Sequence, residues 1–151
     1  MGTDISIYVE KRVNDEWVCA SPKERNSCFG IVDDEPEYDL QGIEVGRNRA
    51  LYKVPTGRDL TDSYDDIETV VPPRGLPVDI SPEVLAVAER YGDGGFTHSW
   101  LTLRELLDFS ARGYACRDGP LGEAAGLDDF IEQLRPFGTP ESVRIVFWLD
   151  G

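Results

Sequence analysis

The strongest strand signals lie at opposite ends of the chain. Residues 143–149 read Val-Arg-Ile-Val-Phe-Trp-Leu, a run rich in β-branched and aromatic side chains. Residues 4–13 alternate, with Ile5, Ile7 and Val9 pointing one way and Asp4, Ser6, Tyr8 and Glu10 the other. The helices expected between these strands need a sheet to cover. The first and last strands are therefore expected to be neighbours in one mostly antiparallel sheet.

Local signals fill in the rest. Asn14-Asp15 suits a two-residue turn, which returns residues 16–20 as the second strand of a hairpin with Trp17 and Cys19 on one face. Ser81-Pro82-Glu83 supplies a cap, a proline at the first helical position and an acid in the first turn. Val84, Val87, Ala88 and Tyr91 follow at helical spacing until Gly92. Thr102 and Glu105 form a capping box ahead of Leu103, Leu106, Leu107 and Ala111. A third helix is expected over about 127–135, with Asp128 and Asp129 near its positive end. Residues 46–54 suggest a short helical segment, and residues 92–100 read as a loop. The expectation is an α+β fold: one domain, a small sheet with about three helices, and polar loops at about 21–45 and 55–80.

At 151 residues the chain buries roughly 70% of its unfolded surface without a staple. Twenty-nine acids against fifteen Lys and Arg give a net charge of −14. That field repels nucleic acid and anionic membranes and attracts basic partners. Cys19, Cys28 and Cys116 form neither a disulfide framework nor a zinc spacing, and they suit a reducing cytoplasm. No apolar run reaches the ~18 residues of a membrane span, and the first residues lack a signal-peptide core.

Met1-Gly2-Thr3-Asp4-Ile5 with Tyr8-Val9-Glu10 opens the chain. Gly46-Arg47-Asn48, Arg74-Gly75-Leu76-Pro77, Ser81-Pro82-Glu83-Val84, His98-Ser99-Trp100-Leu101-Thr102 and residues 143–150 follow in order. In these motifs the chain resembles an uncharacterised family of phages, prophages and actinobacteria, whose members commonly open Met-Gly-Cys-Asp-Ile-His. The resemblance implies kinship and carries no activity with it. Thr3 and Ser6 stand where that family often has Cys and His, so any metal site built on those two residues is impaired here.

Three groups of residues are candidates for chemistry. His98 is the only histidine, so any imidazole mechanism runs through it. Its alternative is a structural role beside Trp100, and a histidine-rich metal centre is excluded. Arg47, Arg49, Lys53 and Arg58 fall in a stretch without an acid; with Asn48, and with Arg74 beyond, they suit a phosphate or carboxylate. Their alternative is pairing with the flanking acid-rich loops. Asp4 and Asp150 would approach each other if the end strands pair antiparallel, giving a paired-acid or divalent-metal arrangement. Strand-end acids are more often simply solvated. Phosphate-loop, dinucleotide, nucleophile-elbow and zinc-protease motifs are absent, and no resident metal or cofactor is expected.

These observations lead to a binding protein of mobile-element accessory type, taking either a small anion at Arg47–Arg58 or a basic protein at the acidic loops. A hydrolase of a phosphorylated metabolite, with His98 as acid or base and Asp4 as metal holder or orienting group, is the first alternative. A toxin immunity protein is the second.

Overall fold

The computed structural model describes residues 4–45, 72–111, 115–116, 119–120 and 127–150. Strand β1 (Asp4–Val13) turns at Asn14 and Asp15, both left-handed with φ of 52° and 66°, into β2 (Glu16–Cys19). Asparagine and aspartate tolerate that region, which the tight turn of a twisted hairpin requires. A ribbon of β3 (Lys23–Arg25) and β4 (Tyr38–Leu40) lies within the stretch expected to be an irregular loop. Helix α1 (Pro82–Tyr91) leads through a 3₁₀ turn into β5 (Gly95–Thr102), and α2 (Leu103–Ala111) follows directly. The two-residue strands β6 (Ala115–Cys116) and β7 (Gly119–Pro120) pair with each other. Helix α3 (Leu127–Leu134) and a 3₁₀ turn precede β8 (Val143–Asp150).

The main sheet has four strands in the order β2-β1-β8-β5, and its three pairings are antiparallel. The first and last strands are neighbours, as expected from their patterns, and form its central pair. Helices cover both faces. Ile7, Val9, Val143, Ile145 and Phe147 pack under α2 and α3, whereas Tyr8, Val146 and Trp148 pack under α1. Residues 143–149 are buried throughout, which is why their sequence is apolar without clear alternation.

Two expectations need correction. Residues 95–100 belong to a strand, not a loop. Phe96 pairs with Leu149 and Ser99 with Phe147, so Thr97 and His98 together oppose Trp148. This bulge shifts the phase of the side-chain alternation and hides the strand from a period-two reading. Ser81 does stand at the N-cap position of α1, yet its hydroxyl makes no capping bond. Its backbone N–H donates instead to Glu10 Oε2 at 2.6 Å, drawing the helix start toward β1. The capping box forms as expected, with Thr102 N–H donating to Glu105 Oε1 at 3.1 Å and Glu105 N–H to Thr102 Oγ1 at 3.1 Å.

After β4 the chain runs back beside β1, beyond the reach of the short β2. Ile43 N–H donates to Ile7 O at 2.9 Å. Gly42 permits this approach, because a Cβ there would meet Ile7 O at 2.9 Å.

Candidate functional site

Arg47, Asn48, Arg49, Lys53 and Arg58 lie outside the described residues. Arg74, His98 and Asp4 lie within them, and each is engaged with the protein itself. Arg74 and Gly75 run alongside β5: Arg74 N–H donates to Ser99 Oγ at 3.0 Å and Gly75 N–H to His98 O at 2.9 Å. The Arg74 guanidinium lies 4.3 Å over the Trp100 ring and grips both oxygens of Glu105. Burial pushes the Glu105 carboxyl up, but the hydrogen bonds from Arg74 and Thr102 outweigh it and hold the group below the ordinary carboxylate range.

The His98 ring packs against Trp148, centroids 5.7 Å apart at 35°. Burial lowers its pKa, so the neutral imidazole prevails at pH 7. Arg74 and His98 are thus neighbours through their backbones, while the guanidinium is held by Glu105 and Trp100 and the imidazole stacks on Trp148.

Asp4 stands opposite Asp150 in the central strand pair, as the antiparallel arrangement requires. Next to them Ser6 Oγ donates to Asp150 Oδ2 at 2.9 Å and lies 3.1 Å from the Tyr91 hydroxyl. Among the described residues, no group of three or more His, Cys, Asp or Glu is arranged to hold a metal ion.

At the other end of the sheet, Arg144 lies between Trp17, 4.2 Å from its guanidinium carbon, and Trp100, at 5.6 Å. Arg74 also lies over Trp100, so contacts run Trp17–Arg144–Trp100–Arg74, a ladder of indoles and guanidiniums beside a cleft of about 450 Å³. Each cation in this ladder already holds a carboxylate: Arg144 has Glu10 and Asp79, and Arg74 has Glu105. An incoming anion would have to displace one.

The β3–β4 ribbon is different in character. Residues 26–45 contain Asp33, Asp34, Glu35, Glu37, Asp39 and Glu44 and no Lys or Arg. The loop between the strands is folded on itself. Asn26 accepts Cys28 N–H at 2.9 Å and donates to Glu35 Oε2 at 2.8 Å, and its own N–H donates to Glu37 O at 2.9 Å. Gly30 and Asp34 turn the chain at φ of 81° and 65°. That order leaves apolar side chains outside: Ile31 is 81% exposed, Val32 50%, Phe29 46% and Tyr38 51%. Isolated exposed apolar residues are ordinary; four on one small ribbon, bordered by acids, are not.

Arg90 of α1 fixes the ribbon to the body, meeting Asp39 at 3.0 Å and Glu35 at 3.4 Å. Asp33, Asp34 and Glu37 take part in no ion pair among the described residues. A groove of about 480 Å³ runs between the ribbon and α1 over Tyr8, Leu40, Val87 and Tyr91. Burial first, then the negative charges of Tyr91, Asp150 and Asp39, push the Tyr8 hydroxyl up to about 12.

The sequence marks the acids of this ribbon but not its apolar tip. Phe29, Ile31 and Val32 around Gly30, just before four acids in five residues, carry the signal, which only gains meaning once burial is known. Arg90 and Arg144 were unmarked because their partners are distant in sequence. Comparison of the chain with protein-family models, with curated proteins and with solved structures finds no match.

Proposed function

We propose that this chain is a non-enzymatic binding protein, a mobile-element accessory factor of the cytoplasm, and that it engages a basic protein through the β3–β4 ribbon. The observation that carries this reading is the exposed apolar tip of Phe29, Ile31 and Val32 beside Asp33, Asp34 and Glu37. Apolar contact supplies affinity at such a surface, and the acids steer and select a cationic partner. The net charge of −14 acts in the same direction at long range.

A small anion at Arg74 and Arg144 is the weaker ligand, since they already hold Glu105, Glu10 and Asp79, and the Arg47–Arg58 stretch lies outside the described residues. A phosphate hydrolase using His98 and Asp4 is weaker still, with the imidazole stacked on Trp148 and no metal-ligand group among the described residues. An immunity protein that blocks a basic toxin is one form of the binder proposed. The free thiols of Cys19 and Cys28 suit a reducing compartment, and no helix among the described residues is long and apolar enough to cross a membrane.

Affinity capture from bacterial extract tests the reading, with the triple variant Asp33→Asn, Asp34→Asn, Glu37→Gln as control. The expected result is a basic protein retained by the native chain, lost by the variant and released by salt, which shortens the screening length from about 10 Å at 0.1 M to about 3 Å at 1 M. Equal capture by both chains, or no specific capture, overturns it.

A further inference from the structure

We propose that the partner inserts a short segment, one or two large apolar side chains flanked by Lys or Arg, into a second groove between β4 and α1. This rests on the basic-partner reading above and names where and how that partner is held. The groove encloses about 320 Å³, room for side chains and not for a folded domain. Its floor is Pro36, Leu40, Ala86 and Val87, and Glu37 and Glu83 stand on its two banks.

Three features select this occupant. The floor is mostly apolar, so a polar peptide would leave it wet and gain little. The banks carry carboxylates from two different elements, Glu37 from the ribbon and Glu83 from the first turn of α1, so a cation beside the apolar anchor meets negative charge from either side. The cations present do not reverse this. Arg90 is held by Asp39 and Glu35, which leaves Lys23 as the counter-charge at one end. Tyr38, at the loop end of β4, lines the groove and is itself half exposed, so a segment leaving the groove there would meet the loop that carries the apolar tip.

Titration of the labelled native chain with a synthetic peptide, a leucine pair flanked by arginines, tests this by amide chemical shifts. The expected result is movement of the signals of residues 36–40 and 83–90. Replacing the leucines by glycine should weaken binding roughly tenfold or more, equivalent to about 1.4 kcal/mol. Ala86→Arg, an exposed helical position where arginine is well tolerated, should do the same by filling the slot.

Stationary signals at 36–40 and 83–90, or equal binding of the glycine peptide, overturn the groove. Signals that move only at residues 29–34 overturn the groove and leave the ribbon reading standing. A peptide with glutamates in place of arginines that binds equally well overturns the charge argument, and the basic-partner reading with it.

Discussion

Glu10 and Arg144 face each other across the central strands with carboxylate and guanidinium 2.7 Å apart, 0% and 2% exposed. The two residues are 134 positions apart in the chain. The other carboxylate oxygen accepts Ser81 N–H, and the other end of the guanidinium reaches Asp79. One ion pair therefore joins the first strand, the last strand and the entry to α1. The groove between β4 and α1 lies along that same helix.

The two members of this pair should be strongly coupled in stability. Arg144→Met leaves the Glu10 carboxylate buried without its cation and should lose about 3–5 kcal/mol, whereas Glu10→Gln leaves Arg144 with Asp79 and should lose less. Glu10→Gln combined with Arg144→Met should lose less than the sum of the single changes. Urea denaturation of the four proteins gives the coupling directly.

Arg74→Met should weaken the protein in a pH-dependent way. Glu105 has a folded pKa below its unfolded value, so its contribution is present above the ordinary carboxylate range and is lost as pH falls through the folded pKa. The difference in thermal midpoint between native chain and variant should be largest near neutrality and shrink in acid. A constant difference would assign the role of Arg74 to its packing on Trp100 alone.

Tyr8 sets an alkaline limit. Its pKa is raised from 10.0 to about 12 in the folded protein, so folded and unfolded forms bind the proton equally below 10. Above that the unfolded state ionises first, and stability should fall between pH 10 and 12. Tyr8→Phe should flatten that loss, and ultraviolet titration should show one tyrosine fewer ionising late.

Gly42→Ala should loosen the ribbon from the sheet. The added Cβ would sit 2.9 Å from Ile7 O, and backbone on both sides must move to relieve it. A loss of about 1–3 kcal/mol is expected, with faster hydrogen exchange at Ile43, whose N–H donates to that carbonyl.

His98→Ala should leave partner capture unchanged, because the imidazole stacks on Trp148 and lines neither the ribbon nor the groove between β4 and α1. Loss of capture in a folded His98→Ala chain would revive the imidazole as a working group.

Periodicity and capping were enough to find the end strands, the hairpin and all three described helices, since each depends on residues a few positions apart. β5 escaped because its bulge at Thr97 and His98 breaks the alternation, and the β3–β4 ribbon because strands of three residues leave no period to see. The acids of residues 33–39 were legible as a charged stretch. Their pairing with an exposed apolar tip was not, because the exposure of Ile31 depends on where the rest of the chain packs.

Local stereochemistry and burial pattern, written into neighbouring residues, thus set the elements and the antiparallel union of the two termini. Contacts between distant residues set the rest: Glu10 with Arg144, Arg74 with Glu105, Arg90 with the ribbon. Charge attraction has no sequence period. Which arginines are spent on internal carboxylates, and which acids remain for a partner, is settled only when the folded chain brings them within reach.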